Sequence, residues 1–113
     1  MHSFFAVISS SSATISILDQ HGTVEAERKI DIARQSLVRD FTEKMIDLSH
    51  EQELYHNDIS AIGVIADPTR DLGWDSEQQF KQDLEASFGF PAIVGLNENE
   101  VKSELVSLAS ETK

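Results

Sequence analysis

Near the middle of the chain, Ala61-Ile62-Gly63-Val64-Ile65-Ala66 carries no polar side chain at any position. A strand with one solvated face alternates apolar and polar residues, whereas an unbroken run of this kind is expected of a strand buried on both faces in a parallel region. What surrounds it must therefore cover both faces, and the flanking sequence has the right periods. Leu37, Val38, Phe41, Met45 and Leu48 recur at helical spacing before it, with an end near Ser49-His50 and a polar connection to Asp58. After the break at Asp67-Pro68-Thr69, Phe80, Leu84 and Phe88 recur at i, i+4, i+8. Asp75, three residues before Gln78, is the expected N-cap of that helix in a near capping box, and Gly89 its C-cap. Pro91 to Val94 reads as a short strand, and Asn97 to Glu100 opens a last helix carrying Val101, Leu105 and Leu108.

The first third has a different period. His2 to Ile8 is an apolar run rich in strand formers, Ala13 to Asp19 alternates, and Val24, Ala26, Ile30 and Ile32 occupy even positions of a third strand over Thr23 to Ile32. Asp19-Gln20-His21-Gly22 is a turn, with Gly22 free to take a positive φ. Short connections favour an antiparallel meander. The order is β-β-β-α-β-α-β-α, an α/β domain with a mixed sheet and helices on its faces, the ribonuclease H-like (actin-like ATPase) lobe. The expected core is Phe41, Ile62, Val64, Phe80, Leu84 and Val94.

With 113 residues the chain suits one domain, spanning 1–113. It holds 20 acidic against 9 basic residues, a formal charge of -11. That field repels phosphate backbones, so direct nucleic-acid binding by this domain is disfavoured. Cysteine is absent, which excludes disulfides, thiolate-bound metals and thiol nucleophiles and fits a reducing, cytoplasmic setting. The four histidines share no i,i+4 spacing, so no metal site is expected. No apolar run approaches the roughly 20 residues of a membrane span.

Three stretches resemble a known family. They are the opening hairpin Phe4 to Val24, the strand entered at Asp58-Ile59-Ser60-Ala61-Ile62-Gly63-Val64, and the tract from Leu72-Gly73-Trp74 through Phe88-Gly89-Phe90-Pro91-Ala92-Ile93-Val94 to Asn97-Glu98-Asn99-Glu100. In this order and spacing they look like the N-terminal lobe of the ROK family (repressors, open reading frames and sugar kinases). Kinases of that family end strand one in an Asp followed by a Gly-Gly-Thr turn, which meets ATP phosphates with backbone amides. Here Val7 and Ser9-Ser10-Ser11 stand at the matching positions. The family's Pro-Gly turn is altered to Asp67-Pro68. Its Glu-Asn-Asp, whose Asp deprotonates the sugar, aligns with Gly95, Leu96 and Asn97. A carboxamide has no useful basicity at neutral pH. The resemblance therefore implies a lobe without catalytic residues and without a cofactor. Family members continue into a second lobe, and Lys113 falls where that lobe would begin.

By the same resemblance, Asp67, Asn97, Asn99 and Glu100 are the substrate-binding candidates, and Trp74 could stack on a sugar. Each has a plainer explanation. Asp67 is a turn residue before Pro68, Asn97 with Glu100 makes a capping box, and Trp74 covers the start of a helix. The serines from Ser9 to Ser12 read more simply as a polar hairpin turn than as a phosphate loop.

The expected function is a non-catalytic, degenerate sugar-kinase-like lobe of a ROK-type sugar-responsive transcriptional regulator or relic, meeting a carbohydrate effector only with a second lobe. One alternative is a stand-alone protein-interaction module of the same fold, and another is a fragment of an active sugar kinase. Val101, Leu105 and Leu108, widened by Val106, form a stripe that suggests self-association or docking of a partner lobe.

Overall fold

A computed structural model of the chain describes residues 2–8, 12–31, 37–55, 58–67 and 74–111. The described elements follow the expected order: β1 (His2–Ile8), β2 (Ser12–Leu18), β3 (Val24–Asp31), α1 (Leu37–Glu51), β4 (Ile59–Ile65), α2 (Glu77–Phe88), β5 (Ala92–Gly95) and α3 (Glu98–Glu111). They build one sheet in the order β3-β2-β1-β4-β5. β1, β2 and β3 pair antiparallel as a meander, while β4 runs parallel to both β1 and β5. This is the mixed sheet of a ribonuclease H-like lobe.

The apolar run at residues 61–66 is explained by what lies on each side of it. Ile62 and Val64 point into a core shared with Phe41, Met45 and Leu48 of α1 and Phe80, Leu84 and Phe88 of α2. Ala61 faces the other way, into a smaller cluster with Phe5, Leu18 and Val101 and Leu105 of α3. Phe41, Phe80, Ile62, Leu84 and Leu105 are each buried almost completely, and a side chain of this kind contributes about 1.5–3 kcal/mol. Val94, expected in the core, is half-buried, because β5 is the sheet edge. Edge-to-face packing links Phe4 and Phe88, and Phe41 and Phe88, with centroids 5.7 and 5.8 Å apart.

Between the second core and β4 the packing is closest at Gly63. A Cβ placed there would lie 2.6 Å from Val101 Cγ1 and 2.7 Å from Leu105 Cδ1, so α3 rests directly on the strand backbone. The apolar stripe of α3 is accordingly covered within the lobe: Val101 and Leu105 are buried and Leu108 packs against them. Val106 is also engaged, with its Cγ2 3.1 Å from where a Cβ of Gly22 would stand. Of the stripe that suggested self-association, Val101 and Leu105 are buried against the sheet, while Val106 and Leu108 are half-buried.

Local signals decide the element ends. Ser76, not Asp75, is the N-cap of α2: its backbone is extended and its hydroxyl accepts a hydrogen bond from Gln79 N at 3.1 Å. The capping geometry needs the acceptor three residues before that N–H, and Asp75 is one residue too early. Gly89 closes the helix at φ 84° with its N–H on Glu85 O, as expected. β3 stops at Asp31; Ile32 lies outside the described residues, as do Ser9 to Ser11 and Pro68 to Gly73. Val24 is 44% exposed rather than inward, because a register shift between Ile17 and Leu18 sets Leu18 opposite it at the end of an edge strand.

Two outcomes test this packing. Gly63→Ala should destabilise by about 1–3 kcal/mol, the usual cost of overpacking. In a Leu105→Ala background that cost should shrink, so the double variant will be more stable in a denaturant titration than the two single effects predict. The second concerns the β2–β3 turn, where Asp19 Oδ1 accepts from His21 N at 2.8 Å and Thr23 N at 2.9 Å. These bonds, the one from Thr23 most of all, favour the ionised carboxyl and hold its pKa below the ordinary value. A group with a depressed folded pKa adds stability above its unfolded pKa and loses it as pH falls through the folded one. An NMR titration should show Asp19 protonating below the usual carboxylate range, and Asp19→Asn should flatten that part of the acid limb of the stability curve.

Candidate functional site

Because β1, β4 and β5 are parallel, their C-terminal ends reach the same edge of the sheet. Val7 is level with Ile65 and Ile65 with Gly95. Ala66 N donates to Gly95 O at 3.1 Å, keeping the two strand ends together. Asp67 and Asn97, each two residues beyond this level, are therefore carried to one edge, where ligands of open α/β sheets sit. Val7, at the position the resemblance gives to the kinase carboxylate, is 39% exposed.

Asn97 is held by the helix it begins. Its Oδ1 accepts from Glu100 N at 3.1 Å, and its carbonyl accepts from Val101 N at 3.1 Å. Glu98 and Glu100 in the first turn oppose the positive end of the helix dipole, and Glu98 pairs with Lys102 at 3.0 Å. Lys102 in turn lies 5.0 Å above the Phe5 ring. The capping interpretation of Asn97 holds, and its amide NH2 remains a donor for a ligand hydroxyl.

A groove of about 280 Å³ opens beside this helix start. Ile93 and Val94 of β5 form its floor; Asn97, Glu100 and Glu104 line one wall, and Glu77 and Lys81 of α2 the other. Of the four expected substrate contacts, the groove thus gathers Asn97 and Glu100. Asn99 lies exposed in the same turn of α3, in a shallow depression with Ser103, and Asp67 is half-buried at the end of β4; neither lines the groove. Glu77 and Lys81 were not foreseen as site residues, although their i,i+4 spacing places both on one side of α2. With three carboxylates around one ammonium, the groove suits hydroxyl donors better than phosphate.

Trp74 faces inward. Its ring packs edge-on against Phe80 at 4.9 Å, and its Nε1 donates to Asp83 Oδ2 at 2.8 Å. It covers the first turn of α2, as the plainer reading expected. Among the described residues no group of histidines and carboxylates is arranged to hold a metal ion. His2 pairs with Glu25 at 2.8 Å and His50 packs against Tyr55 at 5.2 Å, while His56 lies outside the described residues. Among the described residues no helix is long and apolar enough to cross a membrane.

No protein-family model and no curated protein matches the sequence. Solved structures do match its fold. A ROK family glucokinase from Streptomyces griseus, solved with glucose and AMPPNP, superposes with a TM-score of 0.65 at 17% identity over 83% of this chain and 32% of that one. A ROK hexokinase from Thermus thermophilus gives 0.60 at 12% identity, over 83% of this chain and 34% of that one. A ROK family transcriptional regulator, a homologue of the E. coli MLC protein, gives 0.61 at 13% identity, over 82% and 27%. The chain spans about a third or less of the length of these proteins. The fold is that of a lobe of ROK sugar kinases and regulators, as the sequence resemblance implied.

The role of Asn97 as a cap is measurable. Asn97→Ala should lower stability by about 0.5–2 kcal/mol, Asn97→Asp should preserve it, and Asn97→Gly should cost only a few tenths. Thermal or urea melts of the three variants would check the order.

Proposed function

We propose that this chain is a non-catalytic sugar-kinase-like lobe of a cytoplasmic, ROK-type sugar-responsive regulator or relic. The observation that carries this reading is the state of Asn97. The residue aligned with the family's catalytic base is a carboxamide whose oxygen caps α3 at 3.1 Å from Glu100 N. Such a group cannot remove a proton from a sugar hydroxyl. Val7 at the end of β1 has no carboxylate to offer a hydrated metal ion. The groove beside Asn97 retains hydroxyl-binding chemistry, which supports recognition of a carbohydrate once a second lobe closes over the sheet edge.

The test is an ADP-release assay on the purified chain with Mg-ATP and a panel of hexoses, its folding checked by circular dichroism. The expected result is no sugar-dependent ADP above the blank. Sugar-dependent ADP release that is lost in Asp67→Asn or Asn97→Ala, both still folded, would overturn the reading in favour of an active kinase fragment.

A further inference from the structure

The opposite end of the sheet holds a cavity that the groove chemistry does not involve. It has a volume of about 170 Å³. Its floor is Phe4 near the start of β1, Ile59 at the start of β4, and Phe88 and Phe90 around the end of α2. The three phenyl rings contact one another, with centroids 5.6 to 5.7 Å apart. Ile46, His50 and Tyr55 form the rim, where Tyr55 is 56% and Ile46 37% exposed. Ser49 also borders the cavity; its hydroxyl proton is donated to Ile46 O at 2.7 Å, which leaves its oxygen as an acceptor. Ser49, His50 and Tyr55 are the polar side chains of the lining.

We propose that this cavity is a binding site for a small neutral aromatic molecule of one ring, bearing a hydroxyl. The size decides the first part, since an enclosed apolar cavity of about 150 Å³ takes up benzene and this one, open on one side, has a similar volume. The lining decides the second. Phenyl edges and faces accept another ring in offset or edge-on packing. A ligand hydroxyl on the side of Ser49, His50 and Tyr55 finds polar partners, while one on the opposite side would meet only the phenyl floor and Ile59. Charge decides the third. Exposed Asp47, Glu51, Glu53 and Asp58 lie close in sequence to the lining residues, Glu51 being paired with Arg28 at 2.7 Å, and the chain carries -11, so an anionic ring is repelled. The same charged surroundings disfavour a protein docking here, because interface cores are depleted in carboxylates. The site lies at the N-terminal ends of the parallel strands, and nothing in its chemistry depends on whether the other end transfers phosphate.

Phenol is the probe and benzoate the anionic control, titrated against the full chain and followed by amide and methyl NMR. Phenol should give saturable shifts confined to the Ile46, Ile59 and Phe88–Phe90 region and raise the Tm, as a ligand selective for the folded state must. Benzoate should bind at least several-fold more weakly. Ile46→Trp, at a half-exposed rim position, should fill the mouth and weaken phenol binding tenfold or more. Tyr55→Ala, at an exposed position, should weaken it several-fold without unfolding the lobe. Scattered or non-saturating shifts, equal binding of benzoate, or undiminished binding in a folded Ile46→Trp variant would overturn the proposal.

Discussion

The contact between α3 and the backbone of β4 at Gly63 fixes the rest of the architecture. A helix axis ordinarily stands off from a sheet by the depth of two side-chain layers. Here one layer is missing at the point of closest approach, and Val101 and Leu105 come within 2.7 Å of where a Cβ would stand. The helix can then start soon after β5, with only Leu96 and Asn97 between the two elements. That short connection brings Asn97 to the strand end and turns it into a cap. It also aims the first turn of α3, with Glu100, at the wall of the groove. On the other face the sheet is covered by two helices and large aromatic rings, so the two layers differ in depth. The polar groove forms where the two layers meet across β5, and the thick side leaves the aromatic cavity.

Much of this was legible in the sequence, and the reasons differ by residue. The run at 61–66 announced a strand covered on both faces, because no alternative removes that much apolar surface from water. Gly89 marked the end of α2, since the left-handed φ of 84° that it adopts is open to glycine with little strain. Asn97 and Glu100 carried their own spacing. What was not legible needed information from distant segments. Val24 fits an alternating pattern, yet a register shift in its partner strand leaves it exposed. Asp75 and Ser76 both belong to the capping set, and the choice rests on where the chain turns rather than on residue type. The stripe on α3 was visible, but not that Val101 and Leu105 would sink onto the backbone at Gly63 while Val106 and Leu108 stay half-buried.

The candidate site shows the same division. Asn97 and Glu100 share a turn, so their proximity is local and readable. Glu77 and Lys81 join them across the edge strand only because α2 and α3 flank β5, a consequence of tertiary packing. The aromatic cavity is further from any local signal: Phe4, Ile59 and Phe88 come from three separate elements and meet only in the folded lobe. Composition lists these rings as ordinary core residues, which some of them also are.

A fold shared with ROK kinases at 17% identity or less separates what the architecture demands from what phosphoryl transfer demands. The architecture demands apolar strands, a close helix approach and caps, and this chain supplies them all. Phosphoryl transfer demands a carboxylate at a strand end, a phosphate-accepting turn and a base, none of which contributes to packing. Those positions can change with little cost to stability, whereas Gly63 cannot accept a large side chain without displacing α3. Selection for folding alone therefore preserves the first set and leaves the second free to drift. On the proposed reading Asn97 belongs to both sets, since the resemblance aligns it with the base and its side chain caps a helix. A carboxylate caps as well as a carboxamide does. Stability is thus indifferent between Asp and Asn at this position, and the capping requirement does not choose between them.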